Sequence, residues 1–139
     1  MRQAVDILRF RTGGRGLLEI TDDIGRWVAE QGMTEGLLTV FCRHTSASLL
    51  IQENAAPEVR YDLERFFERI APEDADLYAH DDEGPDDMPS HIRAALTQVQ
   101  LSVPIIRGKL ALGAWQGIYL FEHRRHAHAR ELALCLQGL

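Results

Sequence analysis

Two histidines and five carboxylates fall between Tyr78 and His91, in Tyr-Ala-His-Asp-Asp-Glu-Gly-Pro-Asp-Asp-Met-Pro-Ser-His. Imidazole nitrogen and carboxylate oxygen are the usual protein ligands for zinc, manganese or iron, and a loop brings them together at low steric cost. A third imidazole, His44, ends the apolar run Leu37 to Cys42 and stands beside Thr45, Ser46 and Ser48. His44, His80 and His91 together supply three nitrogens for one divalent metal, leaving a position open for water or substrate. Asp87, Glu83 and Glu53 are the carboxylates that would hold these rings in one tautomer. Each feature also has a plainer reading: a charge run is commonly a solvated loop, and a histidine at a strand end is commonly a hydrogen-bonded core residue.

The rest of the chain has to position that set. The run Tyr78–His91 has neither helical nor strand periodicity, so it is expected as a loop that ends in a short helix beginning near Pro89 and continuing through Ile92 to Leu96. Ala4 to Phe10 reads as an opening strand, broken at Gly13-Gly14. Thr21 is the expected N-cap of a helix presenting Ile24, Trp27 and Val28, with Gly32 as its stop. Strands are expected at 36–42 and 48–51, and Gln52-Glu53-Asn54 closes the second with polar groups. Pro57 suits the first turn of a helix to about Ile70, with Val59, Leu63, Phe66, Phe67 and Ile70 on one face. Further strands are expected at 101–106, 109–112, 117–122 and 131–136; Pro104 points to an edge or a bulge in the first of these. Glycines at 113 and 117 bracket Ala-Trp-Gln, a way to build a binding wall. The order implies α+β, with helices on one face of a largely antiparallel or mixed sheet.

A chain of 139 residues makes one domain, 1–139. Its net charge of −6 excludes a general nucleic-acid binder, which needs a basic face. No apolar run approaches the ~20 residues of a membrane span and the start carries no apolar signal core, so a cytoplasmic protein is expected. Cys42 and Cys135 lie in apolar runs and suit reduced, buried thiols. No GxSxG and no P-loop is present.

Taken together, His44-Thr-Ser-Ala-Ser-Leu49, Glu53-Asn54, Asp62-Leu63-Glu64, Tyr78 to His80, Glu83-Gly84, Asp86-Asp-Met-Pro-Ser-His91, Leu112-Gly113, Trp115-Gln-Gly-Ile-Tyr119, Glu122-His-Arg124 and Gln137-Gly138 resemble the YjbQ family over nearly the whole chain. The resemblance implies a compact α+β homotrimer with its polar cluster near a subunit boundary, and a secondary thiamine-phosphate synthase activity. The chain departs from the family pattern at Ala56, where an aspartate is usual, at Gln98, where glycine is, and at Ala114 within the usual Gly-Thr-Trp.

That reaction joins a thiazole phosphate to a pyrimidine carrying a diphosphate, so it asks for a divalent ion and for cations around the leaving group. The dedicated enzyme for it is a TIM barrel of typically ~250 residues, which this chain is too short to form. Asp87, Glu83, Asn54 and Gln116 are the candidate catalytic side chains. Arg43 and Arg124 are the candidate phosphate ligands, with Lys109 and Arg125 behind them. The expected cofactor is a divalent metal: zinc or another transition metal at the histidines, or magnesium at Asp86, Asp87 and Glu83. The expected partner is a small phosphorylated substrate. The alternative is a non-catalytic trimer that binds a metabolite or a metal.

Overall fold

A computed structural model describes all 139 residues, Met1–Leu139. Eight strands and three helices follow in the order β1 (Arg2–Arg11), β2 (Gly16–Glu19), α1 (Thr21–Glu30), β3 (Glu35–Cys42), β4 (Ala47–Glu53), α2 (Pro57–Ile70), α3 (Asp87–Leu96), β5 (Gln100–Ile106), β6 (Lys109–Leu110), β7 (Gln116–Glu122) and β8 (Ala129–Gly138), with a 3-10 turn at Ala75–Leu77 before α3. The strands form two sheets, one of five strands in the order β1-β8-β3-β5-β6 and one of three in the order β2-β7-β4. Every pairing is antiparallel.

The core lies between the sheets. Leu38 and Val40 of β3, Leu101, Val103 and Ile105 of β5, and Leu132, Leu134 and Leu136 of β8 face Leu49 of β4 and Ile118 and Leu120 of β7. Strict alternation in β5 and β8 puts one face in this core and the other outward. In β7 six consecutive residues, Gly117 to Glu122, are buried, because the strand is covered on both faces. Ile118 and Leu120 enter the core, while on the other side Phe121 meets Phe67 of α2 edge to face at 5.4 Å and Tyr119 receives a hydrogen bond from Arg60 of α2 at 2.9 Å. A continuous apolar run is the sequence form of a strand with two covered faces. Helix α1 adds Ile24, Trp27 and Val28 to the core, and Trp27 donates to Asp6 of β1 at 2.9 Å. All helices therefore lie on one side of the five-stranded sheet, as expected, and its outer face is bare.

Several boundaries differ from the sequence expectation. Ile20 is the N-cap of α1, without a side-chain cap. Thr21 sits one residue inside, where its hydroxyl donates to Glu19 at 2.9 Å and accepts from the Ile118 amide at 2.9 Å. Strand β2 was not expected; it forms because β7 offers it an open edge. Only Ile105 and Ile106 of β5 pair with β6, so the strand is an edge over most of its length and tolerates Pro104. Helix α3 begins at Asp87, two residues before Pro89. Pro89 still falls in the first turn, where an amide hydrogen has no helical partner to lose. No helix is long and apolar enough to cross a membrane.

Candidate metal centre

The early start of α3 places Asp87 and His91 four residues apart on one helical face. His91 Nε2 lies 3.1 Å from Asp87 Oδ2, and His80 Nε2, from the preceding loop, lies 2.7 Å from the same oxygen. Glu83 Oε2 is 4.0 Å from His80 Nε2. His80, Glu83, Asp87 and His91 can each offer one ligand atom, and these atoms all lie within 4.8 Å of one another.

The chain around them is built to hold them there. Gly84, at φ 101°, turns the loop through a conformation that side chains resist. Arg124, just beyond β7, donates Nη2 to the Glu83 carbonyl at 2.8 Å, Nε to Asp86 Oδ2 at 3.0 Å and Nη1 to Asp87 Oδ1 at 2.9 Å. Asp87 therefore has one oxygen held by a guanidinium and the other turned to two imidazoles. The other ring nitrogen of His91, Nδ1, lies 2.9 Å from the Thr45 carbonyl, which can only accept, so Nδ1 carries the proton. In the neutral ring that leaves a lone pair on Nε2, facing a carboxylate oxygen. A cation at the meeting point resolves that repulsion, and a ring anchored through Nδ1–H to a carbonyl is the usual support of a metal-ligating histidine.

The charges agree with this arrangement. The hydrogen bond to Asp87 raises the pKa of His80 above its ordinary value, with Asp82, Asp87 and Glu83 adding to it against desolvation. Burial pushes the Asp87 carboxyl up, but His80, His91, Glu83 and Arg124 outweigh it and hold it below the usual range. Asp86 is likewise lowered, as Arg124 and the Arg125 amide outweigh its burial. Beside His80 a cavity of about 250 Å³ is lined by Ala75, Tyr78, Pro85 and Met88, together with Asp81 and Gly84.

The other candidates are placed elsewhere. His44 is outside the group of four. Its Nε2 accepts from the Glu131 amide at 2.8 Å, and burial together with the Arg130 charge lowers its pKa. Asn54 and Gln116 stand at the far end of β4 and β7, since Glu53 pairs with Gln116 while Ala47 pairs with Glu122. At about 3.4 Å per residue, the length of β4 separates them from Arg124 by about 20 Å. There the Asn54 amide donates to the Trp115 carbonyl at 2.9 Å and Gln116 Oε1 accepts from the Gly113 amide at 2.9 Å. Glu53 caps its own turn, its Oε2 accepting from the Ala56 amide at 2.9 Å. All three side-chain nitrogens of Arg124 already donate to Glu83, Asp86 or Asp87, and Arg43 binds Glu131 at 3.1 Å. Arg125 and Arg15 both bind Glu73. The set that could hold a metal in one chain is thus two histidines and two carboxylates, with Arg124 and the Thr45 carbonyl as its supports. The latter, a backbone atom, leaves no sequence signal.

Below this set lies a buried polar layer. Glu122 accepts from Thr12 and Arg130, and from the amides of His123 and Arg124, so every lone-pair direction is used. His123 is fully buried, its Nε2 lying 2.8 Å from Ser48 Oγ, which meets Thr97 Oγ1 at 2.5 Å. Thr97 reaches the Arg93 carbonyl at 2.8 Å, and an acceptor at the end of the chain makes each hydroxyl donate onward. His123 Nε2 is then the protonated nitrogen. Its Nδ1 has no partner.

The family model described as UPF0047 protein YjbQ-like matches residues 6–138. A UPF0047 protein of Synechocystis is 49% identical over 137 residues, covering 99% of this chain and 93% of its own length. The UPF0047 protein YjbQ of Escherichia coli O157:H7 is 45% identical over 125 residues, 89% of this chain and 90% of its own. Among solved structures, an uncharacterised conserved protein of the yjbQ/upf0047 family from Clostridium acetobutylicum superposes with a TM-score of 0.86 at 31% identity, covering 95% of this chain and 99% of that one. A protein of unknown function from Sulfolobus solfataricus shares the fold at a TM-score of 0.87 and 20% identity. With its fold and nearly all its length matched, the chain belongs to the YjbQ/UPF0047 family.

Proposed function

We propose that the protein is an enzyme dependent on a divalent transition metal held by His80, His91 and Asp87, with Glu83 free to complete the set or to act as a base beside it. The observation that carries this reading is the convergence of His80 Nε2 and His91 Nε2 on one oxygen of Asp87 while Arg124 holds the other. Two imidazoles and a carboxylate select zinc, manganese or iron over magnesium, which prefers an all-oxygen set. A metal bound there would supply a Lewis acid and positions for water or substrate. Asp87 is placed to orient the site; Glu83, mostly exposed, is placed to move a proton.

Thiamine-phosphate formation, the reaction implied by the family resemblance, is the first to assay. In it a thiazole nitrogen forms a bond to the pyrimidine methylene carbon as the bond to the diphosphate oxygen breaks. One observation favours the second reading, a protein that binds a metal or metabolite without turnover: the arginines nearest the metal set are engaged by Asp86, Asp87 and Glu73, and none faces a leaving diphosphate. A homotrimer belongs to either reading.

The experiment is metal titration of chelator-stripped protein, followed by single turnover with both precursors. Wild type should bind one zinc per chain. His91→Ala and Asp87→Asn should each lose at least about a hundredfold in affinity, and Arg124→Met, which removes a support, about ten- to a hundredfold. The double variant His91→Ala/Asp87→Asn should lose little more than either single one, as parts of one unit do. Unchanged zinc binding in His91→Ala would overturn the metal reading. Tight zinc with no product under any precursor pair would leave the binding protein.

A further inference from the structure

We infer a second ligand site, for a small phosphate monoester with an apolar body, in the groove between α1 and the β5–β6 hairpin. The groove encloses about 720 Å³ and is walled by Arg107, Lys109, Leu110 and Leu112 on the hairpin side and by Asp22 and Arg26 on the helix. That volume lies within the range of small-molecule sites. A second cavity of about 610 Å³ shares Arg107, Lys109, Leu110 and Leu112, so the same cations border both.

Two independent features point to a ligand. The first is the turn. Ile106 pairs with Lys109, leaving Arg107-Gly108 as a two-residue loop with φ of 51° and 76°. Positive φ at both central residues defines the I′ turn, whose first position favours asparagine, aspartate or glycine. Arg107 is the one non-glycine residue of the chain held at positive φ. An arginine there costs stability that the turn itself does not return, a cost that a ligand contact made by its side chain would offset. The second is charge. The arginines around the metal set are taken by carboxylates, and Arg26 is taken by Asp23 at 2.9 Å. Arg107 and Lys109 have no acidic partner, and they flank one groove. A planar fork and a point charge lining one groove suit the oxygens of a phosphate dianion, while Leu110 and Leu112 suit an apolar body. Asp22, on the opposite wall, opposes anions with charge on both ends and so favours one phosphate per ligand.

The site needs no metal, so it is tested on chelator-stripped protein and its failure says nothing about His80, Asp87 and His91. Phenyl phosphate titrated into labelled protein should shift amide resonances of residues 107–112 and of α1, with binding that weakens as salt rises. Phenol, with no charge, should not bind. Arg107→Asn is the informative variant, since asparagine suits the turn: its Tm should equal or exceed wild type while phenyl phosphate binding falls roughly tenfold or more. Lys109→Gln should weaken binding likewise. Unchanged binding in Arg107→Asn, resonance shifts confined to 80–91, or benzoate binding as tightly as phenyl phosphate would each overturn the inference.

Discussion

Asp87 shows how much a single side chain can organise. Its two oxygens face opposite kinds of partner, a guanidinium and a pair of imidazoles, and in the proposed metal site that division gives the carboxylate one oxygen for the ion and one for its own support. His123 is its opposite in role, a buried imidazole with a pKa lowered to about 3 by burial and by the charges of Arg93, Arg130 and Arg15. Because the unfolded chain binds that proton near pH 6.5 and the folded chain does not, stability contributed by neutral His123 is present above pH 6.5 and is lost as pH falls toward 3. The slope approaches about 1.4 kcal/mol per pH unit within that window. His44, also lowered, adds in the same direction, and exposed His80, raised, acts against it. Denaturant unfolding between pH 4.5 and 6.5 should therefore show a shallower pH dependence in His123→Gln than in wild type, whatever the absolute stability of the variant. Parallel profiles would show that the buried ring does not set the slope.

At the scale of elements, α3 and α2 differ in how well their first turns are served. Asp86 and Asp87 start α3 with negative charge, favourable at a helix N-terminus, and spend that charge on the site. Helix α2 starts with Pro57 at N1, yet its N-cap is Ala56, in the extended conformation a capping residue adopts, at φ −95° and ψ 113°, with no side-chain cap. The backbone is ready for a cap that the side chain cannot provide. Ala56→Asp should stabilise the protein by about 0.5–2 kcal/mol in urea unfolding. A loss of stability would mean that Glu53, whose carboxylate already accepts from the Ala56 amide, is repelled by the new charge.

For the molecule as a whole, the outer face of the five-stranded sheet is the surface left without a cover. Registry aligns Ile7, Ala133 and Phe41 in one row across β1, β8 and β3, and Val5 and Cys135 in the next. Val5 is 66% exposed, Leu37 47% and Phe41 44%. A face of this kind on a folded sheet marks an association surface. We propose that a homotrimer would bury this face. Light scattering should give three times the chain mass at micromolar concentration, and Ile7→Lys/Phe41→Lys should give the monomer mass with unchanged helix and strand signals. A wild-type monomer would refute the assembly; a trimeric double variant would move the contact to another face.

What could be read without the fold was whatever depends on neighbours along the chain. The alternation of β5 and β8, the apolar face of α1, the doubly covered run of β7 and the broken, charged loop before α3 follow from local periodicity and turn chemistry, and they placed His80 and His91 near one another. Distance across the fold was decided by pairing. The antiparallel registry of β4 with β7 put Asn54 and Gln116 at one end of the small sheet and Arg124 at the other, although all three read as parts of one polar set. The start of α3 at Asp87, unreadable through a proline two residues later, set the i, i+4 step to His91. Arg124 reads as a phosphate ligand, and it is the turn at Gly84 that brings Asp86 and Asp87 against it, where its guanidinium holds both carboxylates. His44 reads as a third ligand until the β8 backbone takes its lone pair. Residue types set which chemistry the chain could perform; which groups share it was decided by strand registry and helix phase, because hydrogen-bond and ligand geometry tolerate errors of tenths of an ångström and sequence spacing specifies none.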